Sequence, residues 1–281
     1  MSELRVPLED ELGDVLEKAL RRSGRSEQDV AAAARVPVGK LRDAIDYCYD
    51  FQVEELCRLA GELQLNEVGL NALGCGGYPL PEIEELPFGV RPLHMAHGLG
   101  VSNAYLVETG SESGAVLFDT GVSPEELARV WPSDVGRVGA VFLTHVEAEH
   151  AGGLDEVLRR WPDVPVNSPE SLADRLPKLI GEGEQLEIGE LQIEVFRTPG
   201  HAAAHNCYLV RDRARLAPRA LLVAGDLIFA GSAGGGYHCP RQLGEQLRRM
   251  LRLVPPDTVI APGHGPMTTL AHEMHFNPFL V

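Results

Sequence analysis

Basic residues are scarce in this chain, which has 281 residues with 25 Lys plus Arg against 41 Asp plus Glu and a formal net charge of −16. Because binding to phosphates depends on clustered Lys and Arg, this balance argues against nucleic acid or an anionic membrane as partner. No apolar run approaches the length of a membrane span. Met1 to Asp10 is acidic and lacks the basic and then apolar layout of a secretory signal, so we expect a cytoplasmic protein.

Cysteine is also sparse and dispersed. The five cysteines are Cys48, Cys57, Cys75, Cys207 and Cys239, and no two of them form a Cys-x-x-Cys pair. An odd, scattered set of this kind excludes a disulfide scaffold and favours reduced thiols used for packing.

Metal-competent side chains, by contrast, are concentrated in one short segment. The run LTHVEAEH at residues 143–150 places His145, Glu147, Glu149 and His150 within six residues, directly after an apolar stretch. A looping backbone lets several of these side chains point to one side. The segment alone therefore offers ligands to two adjacent ions.

Three further candidates each follow another apolar run. They are His201 in TPGH, Asp226 in AGD and His264 in PGHGP. Each alone has an ordinary interpretation as a turn or cap residue. Taken with the first cluster, they form a mixed imidazole and carboxylate set, which suits transition metals, whereas calcium would want oxygen almost exclusively.

The chain changes character near the run GCGGYPLP at residues 74–81. We predict a helical domain at residues 1–78, a linker at 79–89 and a second domain at 90–281. In the second domain, apolar strands at 115–118, 140–143, 191–196, 220–223 and 259–261 alternate with helices at 124–130, 153–161 and 241–253. This alternation predicts a layered α/β architecture with its chemistry on the loops at strand ends.

Residues 90–281 resemble the metallo-β-lactamase superfamily, in particular its glyoxalase II-like hydrolases. The resemblance covers SNAYLV at 102–107, VLFDTG at 116–121, GDLIFAGS at 225–232, GHGPMTT at 263–269 and NPF at 277–279. It implies an αββα sandwich that holds two divalent transition-metal ions, zinc or iron, with manganese possible. By the same resemblance the first ion has the ligands His145, Glu147 and His201, the second has Glu149, His150 and His264, and Asp226 bridges them.

The implied activity is hydrolysis of a small-molecule thioester, ester or lactone by a metal-bound hydroxide, with Asp226 and Glu149 as catalytic residues that orient the nucleophile. Few residues follow the NPF run, so we do not expect the helical region with which glyoxalase II enzymes bind glutathione. For the substrate pocket, His205, Tyr237 and His238 are candidates, with Tyr237 a possible oxyanion donor. His94, His97, His272 and His275 are expected to be structural.

One departure from the family pattern opens an alternative. The hydrolases usually have His-x-His-x-Asp-His, whereas this chain has Glu147 and Glu149 in place of the second His and the Asp. A carboxylate at position 147 favours iron or manganese over zinc, and the flavodiiron branch of the superfamily has a Glu of that kind. The alternative is therefore a di-iron redox enzyme, or an oxygen sensor that signals through the helical domain.

The helical domain has its own resemblance. Helical spacing in residues 12–20, a Ser26 cap for a second helix through Ala34, the break RVPVG at 35–39 and later periodicity at 38–45 and 56–63 resemble a lambda-repressor-like helix-turn-helix domain over residues 10–72. Residues 1–80, however, hold nine Lys plus Arg against fifteen Asp plus Glu. That charge disfavours DNA. We expect instead a surface for homodimerisation or a cap over the mouth of the active site.

Overall fold

The structure is a computed structural model that describes residues 6–110, 114–172, 177–213 and 219–281. Helices lie at α1 Leu12–Ser23, α2 Glu27–Ala34, α3 Val38–Ile45, α4 Val53–Leu63, α5 Glu67–Gly74, α6 Pro124–Val130, α7 Ala148–Ala151, α8 Leu154–Arg160, α9 Pro240–Leu253 and α10 Leu270–Phe276. Strands lie at β1 Val90–His97, β2 Gly100–Glu108, β3 Ala115–Phe118, β4 Val138–Phe142, β5 Val166–Ser168, β6 Lys178–Leu179, β7 Gln185–Ile188, β8 Leu191–Arg197, β9 Asn206–Asp212, β10 Leu221–Gly225, β11 Val259–Pro262 and β12 Thr268–Thr269.

The strands form two six-stranded sheets. The first has the order β1 to β6, and the second runs from β12 down to β7. Short strands such as β3 and β10 are buried along their whole length, because each sheet is covered on both faces and so needs continuous apolar runs. The predicted α/β fold, an αββα sandwich preceded by helices, is confirmed.

A cluster of aromatic rings fills the space between the sheets. Phe118 stacks on Phe142 with ring centroids 5.3 Å apart, and Tyr208 from the second sheet meets Phe142 edge-on at the same distance. The Tyr208 hydroxyl donates a hydrogen bond of 2.5 Å to the backbone oxygen of Leu143. This bond fixes the end of β4 against the second sheet, directly before the His145 segment.

The amino-terminal region consists of the predicted helices and one more. Ser26 caps α2 as predicted, because its hydroxyl accepts the N–H of Asp29 at 3.1 Å. Helix α5 has no counterpart in the sequence analysis, although Asn66 gives a local signal for it by accepting the N–H of Val68 at 3.0 Å. That this region is a helix-turn-helix domain stays a prediction.

Helices α1–α5 share one hydrophobic core with the outer face of the second sheet and with α9 and α10. Polar contacts reinforce this packing: the N–H of Asn66 donates to the Pro278 oxygen at 2.7 Å, and the Tyr78 hydroxyl lies 3.0 Å from a carboxylate oxygen of buried Glu273. Residues 79–89 hold no helix or strand. The helical region therefore packs directly on the sandwich. The division into two domains with a linker at 79–89 remains a prediction.

Across the described ranges, no helix is both long enough and apolar enough to pass through a membrane.

Candidate metal centre

The metal-competent side chains lie on loops that follow the buried strands, at one edge of the sandwich. His145 and Glu147 follow β4, and Glu149 and His150 belong to the short helix α7. The loops after β8, β10 and β11 supply the remaining three residues, His201, Asp226 and His264. Each sheet thus contributes donors to the same place.

Asp226 lies in the middle of this group. Its Oδ2 is 3.5 Å from the Nε2 atoms of both His201 and His264, and its Oδ1 is 3.4 Å from Nε2 of His150. On one side, Oε1 of Glu147 lies 3.4 Å from Nε2 of His201. The seven side chains named by the sequence therefore converge.

Three sets of donor atoms lie within 4.8 Å of one another: His145, Glu147 and His201; His145, His150 and Asp226; and Glu149, His150 and His264. The first and third sets are the two ligand groups that the resemblance implied. The second set places Asp226 between them.

The histidines are oriented by contacts to their other ring nitrogen. Nδ1 of His145 lies 3.0 Å from the Thr144 hydroxyl, that of His201 lies 3.0 Å from the Gly235 oxygen, and that of His264 lies 3.0 Å from the Val101 oxygen. Such contacts select the tautomer that leaves Nε2 free to bind a cation.

Several donor atoms of the cluster have no partner within the described part of the protein. Among the described residues, Nε2 of His145, His150 and His201 and Oδ1 of Asp226 are buried without a hydrogen-bond partner. A buried polar atom without a partner destabilises a fold by about 1–3 kcal/mol. Four of them facing one another fit a site for cations, and the mixed nitrogen and oxygen donors suit divalent transition metals.

The electrostatics agree with this assignment. Burial alone would raise the pKa of Asp226, but the imidazoles of His264 and His150 hold it well below its usual range, so the carboxylate stays ionised. Burial, together with the His150 ring, lowers the pKa of His145 well below its ordinary value. Burial alone would lower the pKa of His264, but Asp226 and Glu9 raise it to about 9. The cluster thus has an ionised carboxylate at its centre, which attracts cations to the surrounding nitrogens.

Asp119 supports the cluster from behind, a role that the sequence analysis missed. Its carboxylate accepts the backbone N–H and the hydroxyl of Thr144 at 2.7 and 2.8 Å, and it lies 3.3 Å from Nδ1 of His150. The residue is buried and has a φ of 55°. The run VLFDTG at 116–121 predicts a strand. The sequence signal for the role of Asp119 is a carboxylate that directly follows this apolar strand.

Asp119→Asn is expected to weaken metal binding by about 10–100-fold, because a residue that orients ligating histidines contributes affinity of that size. Titration of metal-free protein with zinc, followed by calorimetry, measures the change. Asp163→Asn makes the same chemical change at an exposed turn between α8 and β5 and serves as the control. Equal affinity in the Asp119 variant and the wild type would contradict the orienting role.

A cavity of about 670 Å³ opens in front of the cluster and reaches Glu147, Glu149, His201, Asp226 and His264. Its outer wall comes from the amino-terminal region: the segment before α1, α1 itself and Tyr47. Oε2 of Glu9 lies 3.7 Å from Nδ1 of His264. The helical region therefore lines one side of the opening to the cluster, while its role as a cap stays a prediction.

The three pocket candidates lie in different places. Tyr237 lines the cavity, with its ring 5.4 Å from that of His201. His205 is buried behind the cluster, where its Nε2 accepts the N–H of Asp226 at 3.1 Å, and His238 is exposed outside the lining. His97, expected to be structural, instead lines the cavity 4.0 Å from Oε1 of Glu149.

Comparison with known proteins agrees with this architecture. The family model described as "Metallo-beta-lactamase superfamily" matches residues 97–264. A "Probable metallo-hydrolase YqgX" from Bacillus subtilis is 31% identical over 206 residues, which are 64% of this chain and 92% of that protein. A "Hydroxyacylglutathione hydrolase" from Xylella fastidiosa strain M12 is 34% identical over 142 residues, 50% of this chain and 52% of the relative. The chain thus spans about half the length of several of the curated relatives it matches.

Solved structures give the same result. A structure titled "Crystal structure of TTHA1623 in a di-iron-bound form" is 32% identical, with a TM-score of 0.53 over 66% of this chain and 98% of that chain. The fold, the position of the donor residues and the match over more than half of its length show that this chain belongs to the metallo-beta-lactamase superfamily.

Proposed function

We propose that this protein is a binuclear metal-dependent hydrolase that cleaves a small thioester, ester or lactone. The observation that carries the proposal is the convergence of seven donor side chains, of which His145, His150, His201 and Asp226 each present a buried atom without a hydrogen-bond partner among the described residues. The name hydroxyacylglutathione hydrolase, given to relatives that the chain matches over about half their length, supports thioesters as a substrate class.

In this proposal His145, Glu147 and His201 hold one ion, Glu149, His150 and His264 hold the other, and Asp226 lies between them. When bound, two divalent ions would supply an activated water and polarise the substrate carbonyl. The rest of the reaction depends on the protein's own groups.

Asp226 is suited to orient a nucleophile, because its ionised carboxylate is fixed by the backbone N–H donated to His205 and by three surrounding imidazoles. Glu149 is fixed differently: the Ser102 hydroxyl donates to its backbone oxygen at 2.6 Å, which leaves its carboxylate facing the cavity. In this proposal the hydroxyl of Tyr237, whose ring lines the cavity beside His201, donates to the substrate oxygen. The helical region supplies one wall of the cavity in which the substrate would lie.

A second candidate function is di-iron redox chemistry. Glu147 lies beside His201 where the hydrolases of the family usually have a histidine, and a carboxylate there favours iron or manganese. The related structure with a di-iron title shows that a 32% identical chain of this fold binds iron. That observation supports iron as the metal without choosing between hydrolysis and electron transfer.

Elemental analysis of protein purified without added metal, combined with a substrate panel, separates the two. We expect two ions per chain and release of thiol or acid from thioesters or lactones, which is lost on chelation and restored by reloading zinc, iron or manganese. Two irons, a visible spectrum that changes with dioxygen and no hydrolysis under any loading would favour the redox function. Protein that folds normally but holds no ion after dialysis against each metal would contradict both.

The helical region acts in this proposal as the cap. Its excess of acidic residues and its position over the cavity support the cap over a DNA-binding role. Homodimerisation stays a prediction.

A further inference from the structure

The wall that the amino-terminal region gives to the cavity is unusually acidic. Among the described residues, this wall carries five carboxyl groups, Glu9, Asp10, Glu11, Asp14 and Glu17, against the two basic groups of Lys18 and Arg21. Acidic groups thus exceed basic ones by three, with burial raising the pKa of Glu9 to about 7 and raising that of Asp10 above its ordinary value. These groups are separate from the carboxylates of the metal cluster.

The two cations are already engaged. Lys18 pairs with Asp10 and donates to the backbone oxygen of Ala233 at 2.9 Å, while Arg21 pairs with Glu17 at 3.0 Å. Neither ammonium nor guanidinium is left to neutralise Glu11 or Asp14. An anionic substrate group at this wall would meet carboxylates, with both cations occupied.

Asp14 and Glu11 present carboxylates at the wall that neither cation contacts. Asp14 accepts hydrogen bonds from the Tyr47 hydroxyl at 2.6 Å and from the backbone N–H of Glu11 at 2.9 Å. Both donors are neutral, so they fix the carboxylate without cancelling its charge. Glu11 itself is exposed.

The inner end of the same cavity opens onto the donor atoms of the metal cluster. His201 and Asp226 are 4% and 5% exposed, line the cavity, and present a ring nitrogen and a carboxylate oxygen that have no hydrogen-bond partner among the described residues. A substrate whose carbonyl lies at ions held by these atoms would extend its other end along the acidic wall.

We propose that this wall selects substrates that carry a positive charge on the part remote from the scissile bond, and disfavours anionic ones. The proposal rests on the proposed hydrolase function and deepens it by naming the substrate class, a cationic thioester or ester. The glutathionyl group, with two carboxylates and one ammonium, has a net negative charge and does not match this wall.

Three thioesters with the same acyl group test the selection. Their thiols are thiocholine, which is cationic, N-acetylcysteamine, which is neutral, and 3-mercaptopropionate, which is anionic. In each reaction water supplies oxygen to the acyl carbon, the carbon–sulfur bond breaks and the thiol leaves with the remaining proton. We expect kcat/KM to fall about tenfold at each step from cation to neutral to anion at low salt, and the spread to shrink in high salt.

A variant tests whether the wall is the cause. The double substitution Glu11→Gln and Glu17→Gln keeps side-chain size, keeps a side-chain oxygen at the Glu11 cap of α1, removes two negative charges and releases Arg21. It should reduce the ratio of cationic to anionic kcat/KM by about tenfold or more. Glu125→Gln with Asp163→Asn changes the net charge equally at exposed positions outside the cavity lining, and should leave the ratio as in the wild type.

Binding of the free thiols separates this inference from the hydrolase itself. Calorimetric titration of metal-loaded protein with the three thiols should give the same order of affinity. If the thiols bind in that order while no thioester is cleaved, the selective wall stands and the hydrolase function falls. Equal affinities, tighter binding of the anion, or an equal effect of the control variant would overturn the inference.

Discussion

Asp226→Asn is expected to abolish turnover, with kcat lower by about a thousandfold or more, a loss of the size seen when a central electrostatic contact is removed. Both carboxylate oxygens of Asp226 face imidazole nitrogens, at 3.4 Å from His150 and 3.5 Å from His201 and His264. An amide keeps the shape but removes the charge and turns N–H donors toward these nitrogens. Metal content should fall with activity, and elemental analysis together with thioester turnover measures both.

The control for this change is Asp257→Asn, at an exposed position between α9 and β11. It should retain wild-type turnover and metal content. Circular dichroism must show that the Asp226 variant is folded, since the cluster is buried. A folded variant with wild-type activity would remove Asp226 from the mechanism.

Gly69→Ala is expected to lower the unfolding free energy by about 3 kcal/mol, the upper end for overpacking a close-packed contact. A Cβ on Gly69 would lie 1.8 Å from the backbone oxygen of Phe276 and 2.9 Å from the nitrogen of Pro278. Backbone atoms cannot turn aside as a side chain can, so α5 must separate from the end of α10. Thermal unfolding should show a midpoint lower by several degrees.

Gly61→Ala is the matched control, because Gly61 also lies in a helix, α4, but is exposed, and its added Cβ would meet no atom within 4 Å. That change should raise the unfolding free energy by about 0.5–1 kcal/mol through helix propensity. A Gly69 variant as stable as the Gly61 variant would show that α5 is not closely packed against the end of α10.

The strands and the donors of the metal cluster could be predicted because their signals are local. Buried strands such as β3 and β10 need continuous apolar residues, and His201, Asp226 and His264 each follow such a run within a few residues. The resemblance then gave the pairing of these donors into two sets, which short patterns alone leave open.

The features of the site that the sequence did not predict depend on contacts between residues that are distant along the chain. Asp119 reaches Thr144 and His150 only because β3 and β4 are parallel neighbours, a pairing that brings both strand ends to one edge. Likewise, the spacing of residues within α1 does not predict that Glu17 and Arg21 line the cavity. They do so because the amino-terminal helices pack on α9 and α10. Roles for such residues follow from the tertiary fold.

The distribution of donors over both sheets has a consequence for the lifetime of the molecule. An ion held by His145 from one sheet and by His201 from the other would cross-link the two layers. A ligand present at a thousand times its dissociation constant adds about 4 kcal/mol to stability. Metal starvation would then expose the polypeptide to proteases, so its abundance would follow the supply of the ion.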